Sequence, residues 1–121
     1  TMAPTMVFNE DGDLMLITGS PGGSLIPAAI LRVITGVIDF DLDIGQATML
    51  PRVHKDWPTT GILYEKTLNS DVVRIINKTI GHKMTPEHTM GSTQSIHIID
   101  GINYGFADLR RPNASVSIQA N

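Results

Sequence analysis

One segment governs how this chain can fold: Gly19-Ser20-Pro21-Gly22-Gly23-Ser24, set between an apolar run at Leu14 to Thr18 and a longer apolar stretch at Leu25 to Ile38. Glycines and a proline packed this densely stop both strand and helix, so the chain must turn here. After the turn, Ile26, Ile30, Val33 and Val37 recur at helical spacing, with Ala29 and Ile34 adjoining them. Ser24 is placed to cap that helix, and Pro27 fits only in its first turn. The helix is apolar nearly all round, which predicts burial on every side. Strand, glycine turn and helix therefore form one unit.

Such a unit has chemical possibilities. Glycine admits positive φ and a close backbone approach to a ligand. The helix that follows presents unpaired N–H groups and a partial positive charge at its start. A turn of this kind holds a phosphate, a carboxylate or a developing oxyanion. On composition alone, a tight strand-to-helix connection accounts for the same residues. The spacing is not Gly-x-Gly-x-x-Gly, and no Lys-Ser/Thr follows, so a nucleotide loop is disfavoured.

The rest of the chain alternates similar signals. Thr5 to Phe8 and Leu14 to Thr18 flank the turn residues Asn9-Glu10-Asp11-Gly12 and predict a hairpin. Asp41 or Asp43 caps a short helix through Ala47, which Pro51 ends. Val53 to Trp57 and Ile62 to Lys66 are extended around a turn at Pro58 to Gly61. Ser70 caps a helix over Asp71 to Thr79 with an apolar face of Val72, Val73, Ile75, Ile76 and Ile80, and Gly81 closes it. Thr93 to Ile99 and Ile102 to Ala107, joined by Asp100-Gly101, form the strongest hairpin. The order β-β-α-α-β-β-α-β-β favours an α+β layered domain over a βαβ series.

Several function classes are disfavoured. The net charge of −3, with only Arg110 and Arg111 adjacent among the basic residues, leaves no footprint for nucleic acid. No apolar run reaches the roughly 20 residues that span a bilayer, and without cysteine there is neither disulfide nor thiolate metal site. His54, His82, His88 and His97 lack metal-ligand spacing. Asp39, Asp41 and Asp43 alternate as in a calcium loop, but the Gly and Glu it needs are missing, so helix capping is their expected role. No metal and no cofactor is expected. Only 17% of residues are charged and the mean hydropathy is +0.05, so part of the apolar surface is expected to be covered by more protein.

Several motifs, in order, carry a resemblance. Met2-Ala3-Pro4-Thr5 and Gly19-Ser20-Pro21-Gly22-Gly23-Ser24 are similar to the Ser-Ser-Met-Ser-Pro-Thr and Gly-Ser-Pro-Gly-Gly-Ser motifs of γ-glutamyltranspeptidases. Ala47-Thr48 and Pro51-Arg52-Val53-His54 resemble the family's Ala-Thr and Pro-Arg-Phe-His, and Trp57 falls where the family often has one. Met90-Gly91-Ser92-Thr93-Gln94-Ser95-Ile96 resembles a further signature, and Tyr104 to Arg110 approximates Tyr-Gly-Ala-Ser-Asp-Pro-Arg. The resemblance covers essentially the whole chain.

What the resemblance implies is specific. The fold would be part of an N-terminal-nucleophile (Ntn) hydrolase αββα sandwich, incomplete in this chain. Residues 1–121 would be the C-terminal portion of the small subunit, a single-domain fragment. A precursor cleaves itself, and the new N-terminal threonine attacks a γ-glutamyl amide such as that of glutathione. The acyl-enzyme then passes its glutamyl group to an acceptor amino acid, a peptide or water. Gly22 and Gly23 map onto the glycines whose backbone amides hold the oxyanion. Thr1 maps onto the second serine of the pair that helps hold the substrate α-carboxylate. Thr1 is not the nucleophile, because Met-Ala-Pro-Thr follows it where the family has Thr-His and an apolar strand. The expected partners are the upstream small-subunit segment and the large subunit of the same precursor. Location by family would be periplasmic, secreted or cell-surface. The chain alone would lack activity, expose sheet edges and self-associate, and its start at Thr1 would mark a processing or proteolysis boundary. Two alternatives stay open: a related Ntn acylase, and a non-catalytic anion-binding or interaction module.

Overall fold

The computed structural model describes residues 2–58 and 61–119, and in it the chain forms two compact units. One holds the residues up to Leu50 together with those from Gly91 onward; the other is Pro51–Met90.

The first unit is built on a four-stranded antiparallel sheet in the order β1-β2-β6-β7. Its strands are β1 (Thr5–Phe8), β2 (Leu14–Gly19), β6 (Gln94–Ile99) and β7 (Ile102–Ala107). Both predicted hairpins are present. In the second, Asp100 and Gly101 carry φ of 51° and 76°, the two positive values that a two-residue hairpin turn with native strand twist requires. Between β2 and β6 in sequence come a 3₁₀ turn (Gly23–Leu25), helix α1 (Ile26–Ile38) and helix α2 (Ile44–Met49).

Both helices pack on one face of the sheet, where Leu16, Val33, Val37, Ile44 and Ala47 form the core with Val7 and Phe106 at its margin. Gly36 lets α1 approach α2 closely: a β-carbon there would lie 2.8 Å from Ala47 Cβ. Asp43 caps α2 through a capping box, its side chain accepting from the Gln46 N–H at 2.8 Å while Gln46 reaches back to the Asp43 N–H. On the opposite face Met6, Ile17, Ile96 and Gly105 lie in one register row across all four strands, with Met6 and Ile96 exposed.

Two expectations about α1 are corrected. Ser24 lies inside the 3₁₀ turn, and the cap position belongs to Leu25. The helix is buried on one face only, with Leu31 and Ile38 exposed, because a single sheet layer covers it.

The second unit contains β3 (Val53–His54), β4 (Gly61–Glu65) and β5 (Lys83–Glu87) in the order β3-β4-β5. β4 and β5 are parallel, joined through α3 (Ser70–Ile75) and a π-helical turn (Ile76–Ile80). One βαβ element is thus present within the α+β fold. β5 was not anticipated, since Lys83-Met84-Thr85-Pro86-Glu87 contains a proline and lacks apolar alternation. The cap of α3 is Asn69 rather than Ser70, its side chain accepting from the Asp71 N–H at 2.8 Å. Gly81 closes the helix in the left-handed conformation, as expected. The apolar face of this helix is largely exposed at Val72, Ile75 and Ile80. The unit is tied by a buried pair. Glu65 accepts from the Arg52 N–H at 3.0 Å and the Met90 N–H at 2.9 Å, while the Arg52 guanidinium donates to the Met90 carbonyl at 2.6 Å.

Candidate functional site

Antiparallel pairing decides which motifs meet. β1 begins beside the end of β2 (Thr5 opposite Thr18), β6 begins there too (Gln94 opposite Gly19), and β7 ends there (Ala107 opposite Gln94). Motifs far apart in sequence therefore arrive at one end of the sheet. They are Met2 to Thr5, the glycine turn, Gly91 to Ser95, and the segment ending at Arg110.

The glycine turn leaves β2 at Gly19. The Met2 carbonyl accepts from the Ser20 N–H at 2.8 Å, which binds the N-terminal segment alongside the turn. Thr1, expected to contact substrate, lies outside the described residues. Gly22 has φ 144° and ψ 15°, a combination open to glycine and strained for any side chain. Gly23 follows at φ 59° with open space where a β-carbon would stand. Its carbonyl accepts the Ile26 N–H and the Gly22 carbonyl accepts the Leu25 N–H, so the helix starts directly from the glycines. Among the described residues, neither the Gly22 nor the Gly23 N–H donates a hydrogen bond. Gly22 is half-buried and Gly23 exposed. Two unengaged amides at the positive end of a helix are an arrangement that can receive a negative oxygen.

Behind the turn stands a support that sequence reasoning did not assign. Ser20 is fully buried, and its hydroxyl donates to the Pro21 carbonyl at 2.8 Å while accepting the Ser92 N–H at 2.9 Å. Gly91 permits this contact, because a β-carbon there would lie 2.6 Å from the Ser20 hydroxyl oxygen. Gly91 and Ser92 thus pack directly against the turn.

A second support lies at the same sheet end. Asp108, fully buried, accepts from the Thr93 N–H at 2.9 Å and pairs with Arg110 at 3.2 Å. The Arg110 guanidinium donates to the Thr48 carbonyl at 2.8 Å and the Leu50 carbonyl at 2.9 Å, capping the C-terminal end of α2. The Ala-Thr and Tyr-to-Arg motifs are thus two halves of one brace. Adjacency in sequence gave no sign of it, since 62 positions separate Thr48 from Arg110.

The histidines do not converge. His54 bonds Asp56 at 2.8 Å within the second unit, and among the described residues no group of His, Asp and Glu is arranged to hold a metal. Asp43 is a cap, as expected of that run. A groove of about 1120 Å³ runs past Asp41, Ile44, His97, Tyr104 and Val116, but neither Gly22 nor Gly23 lines it.

Comparison with known proteins adds the family dimension. The family model described as Gamma-glutamyltranspeptidase matches residues 1–118. The glutathione hydrolase proenzyme of Escherichia coli (strain K12) is 39% identical over 111 residues, covering 91% of this chain and 19% of that protein. A solved γ-glutamyltranspeptidase from Helicobacter pylori superposes with a TM-score of 0.84 at 32% identity, over 92% of this chain and 61% of that one. The corresponding enzyme from Pseudomonas nitroreducens gives 0.85 at 28% identity, over 98% and 63%. The chain spans about a fifth of the length of the glutathione hydrolase proenzymes of Escherichia coli and Bacillus subtilis. These likenesses bear out the expected α+β fold, part of an Ntn-hydrolase sandwich of which the chain holds only a portion.

Proposed function

The chain belongs to the γ-glutamyltranspeptidase family, and from that premise we propose that residues 1–121 are the C-terminal portion of the small subunit of a γ-glutamyltransferase that also hydrolyses glutathione. The observation that carries this reading is the pair of unengaged amides of Gly22 and Gly23 at the head of α1. In the proposed reaction, an N-terminal threonine upstream of this chain attacks the γ-glutamyl carbonyl, whose oxygen becomes an alkoxide. The two N–H groups receive that charge, and the helix start adds its partial positive potential. The amine leaves with a proton, and water or an acceptor amine then resolves the ester by the reverse path through the same oxyanion site. Fixed donors need no reorganisation when charge develops, which is why they act on the transition state more than on bound substrate.

Thr1 stands in this reading as a hydroxyl donor toward the substrate α-carboxylate; the residue after it, Met2, is bonded to the turn. The partners are the remaining small-subunit segment and the large subunit. The relative from Escherichia coli is named a proenzyme, which supports a precursor origin for both. Location outside the cytoplasm (periplasmic, secreted or cell-surface) is carried over with the family.

The test is release of 4-nitroaniline from γ-glutamyl-4-nitroanilide. The complete protein, with its upstream threonine segment and large subunit, turns the substrate over, and the 121-residue chain alone does not. Activity in the isolated chain would place a nucleophile within it and overturn the incomplete-site reading. An inactive complete protein would overturn the enzymatic one.

A further inference from the structure

Ser20 is placed to do more than fill space. Its hydroxyl donates to the carbonyl of Pro21, which belongs to the same peptide unit as the Gly22 N–H. The Pro21–Gly22 bond is trans, so its C=O and N–H point in opposite directions. Holding the carbonyl inward therefore aims the Gly22 N–H outward, toward the face where an oxyanion would sit. We propose that Ser20 is a positioning residue that locks the Pro21–Gly22 peptide plane and so sets the orientation of one oxyanion donor; this rests on the reading of Gly22 and Gly23 given above.

Three features support a lock rather than a general packing role. The hydroxyl is itself held, since it accepts the Ser92 N–H at 2.9 Å from the start of the segment leading into β6. Its surroundings are closed: Ser20 is 0% exposed, so no water competes for the Pro21 carbonyl. A glycine at position 91 is what allows the approach, because any β-carbon there would collide with the Ser20 oxygen at 2.6 Å and crowd the Pro21 oxygen at 3.3 Å. Gly22 directly after Pro21, at φ 144°, leaves the peptide plane otherwise free to rotate. Proline alone fixes its own φ and not the plane that follows it.

The experiment uses the complete protein with γ-glutamyl-4-nitroanilide, comparing wild type with Ser20→Ala and Ser20→Cys. Turnover is expressed per active site, titrated as acyl-enzyme. Loss of one oxyanion donor costs on the order of 10²–10³ in kcat, and a donor still present but free to swing costs part of that. Ser20→Ala is expected to lower kcat about 10-fold with KM within about 2-fold of wild type, the pattern of an interaction made in the transition state. Ser20→Cys, with a weak donor of similar size, is expected to fall between. A kcat per titrated site within about 2-fold of wild type in Ser20→Ala overturns the proposal, as does a loss confined to KM. Failure of both variants to fold assigns Ser20 to the framework and overturns it as well. Gly22→Ala run beside them separates the two readings. If it retains kcat, the oxyanion assignment falls; if it loses kcat while Ser20→Ala does not, only the lock falls.

Discussion

Arg110→Met tests whether the buried brace at the sheet end is what holds α2. The substitution keeps most of the side chain's length and apolar stem while removing every donor. Two carbonyls lose their partners, Thr48 at 2.8 Å and Leu50 at 2.9 Å, and Asp108 loses the cation 3.2 Å away. Both charged side chains are almost wholly buried, at 8% and 0% exposure. An unsatisfied buried carbonyl costs about 1–3 kcal/mol, and breaking a buried ion pair from one side costs about 3–5 kcal/mol. The two estimates describe overlapping losses, so the expected total is about 3–5 kcal/mol rather than their sum. For a unit of this size that lowers the melting midpoint on the order of 15–30 °C. The assay is urea unfolding followed by far-UV circular dichroism, with amide exchange in α2 as the local readout. Trp57 fluorescence is a poor probe, since that side chain is 94% exposed in the other unit. Adding Asp108→Asn to Arg110→Met is expected to recover part of the loss, because it removes the uncompensated charge and keeps an acceptor for the Thr93 N–H. A loss below about 1 kcal/mol for Arg110→Met would mean that the pair behaves as a surface one, and would refute the brace.

Further outcomes are expected elsewhere. In the complete protein, Gly23→Ala should reduce kcat less than about 10-fold, since its β-carbon enters open space and left-handed backbone costs about 1–2 kcal/mol. Gly22→Ala, at φ 144° with a β-carbon 3.3 Å from Gly91 Cα, should lose on the order of 10²-fold or more; equal losses in turnover assays would refute the geometric distinction. Gly36→Ala should destabilise by about 1–2 kcal/mol despite a helix-propensity gain of about 1 kcal/mol, because its β-carbon meets Ala47 Cβ at 2.8 Å. A rise in the unfolding midpoint would show that α1 and α2 separate freely. The isolated chain should self-associate through the uncovered row at Met6, Ile17 and Ile96, with Met6→Lys and Ile96→Lys reducing it. A monodisperse monomer by light scattering would contradict this.

Local rules were enough for much of this molecule. The hairpin at Asp100-Gly101, the cap at Asp43 and the close of the helix at Gly81 each follow from residues within a few positions of one another. The glycine turn and its helix were legible for the same reason, whereas Gly22 and Gly23 as candidate donors came from the family resemblance, since composition alone fits a plain strand-to-helix connection equally well. Where the sequence misled, a tertiary choice had overridden a local signal. β5 is a strand because the parallel partner β4 supplies its hydrogen bonds, although its own residues do not alternate. One face of α1 is exposed because only one sheet packs on it, although its composition asked for burial all round.

The functional residues divide along the same line. The residues proposed to bring chemistry, two glycine amides at a helix start, occupy consecutive positions. What aims and supports them is not. Ser20, Ser92 and Gly91, like Thr48, Asp108 and Arg110, become neighbours only once antiparallel register brings the ends of β2, β6 and β7 together. Contacts between residues dozens of positions apart depend on loop closure and strand pairing, which no local pattern encodes. The sequence by itself determined the turn and its proposed donors' place in it; the tertiary structure alone decided what holds that turn in place.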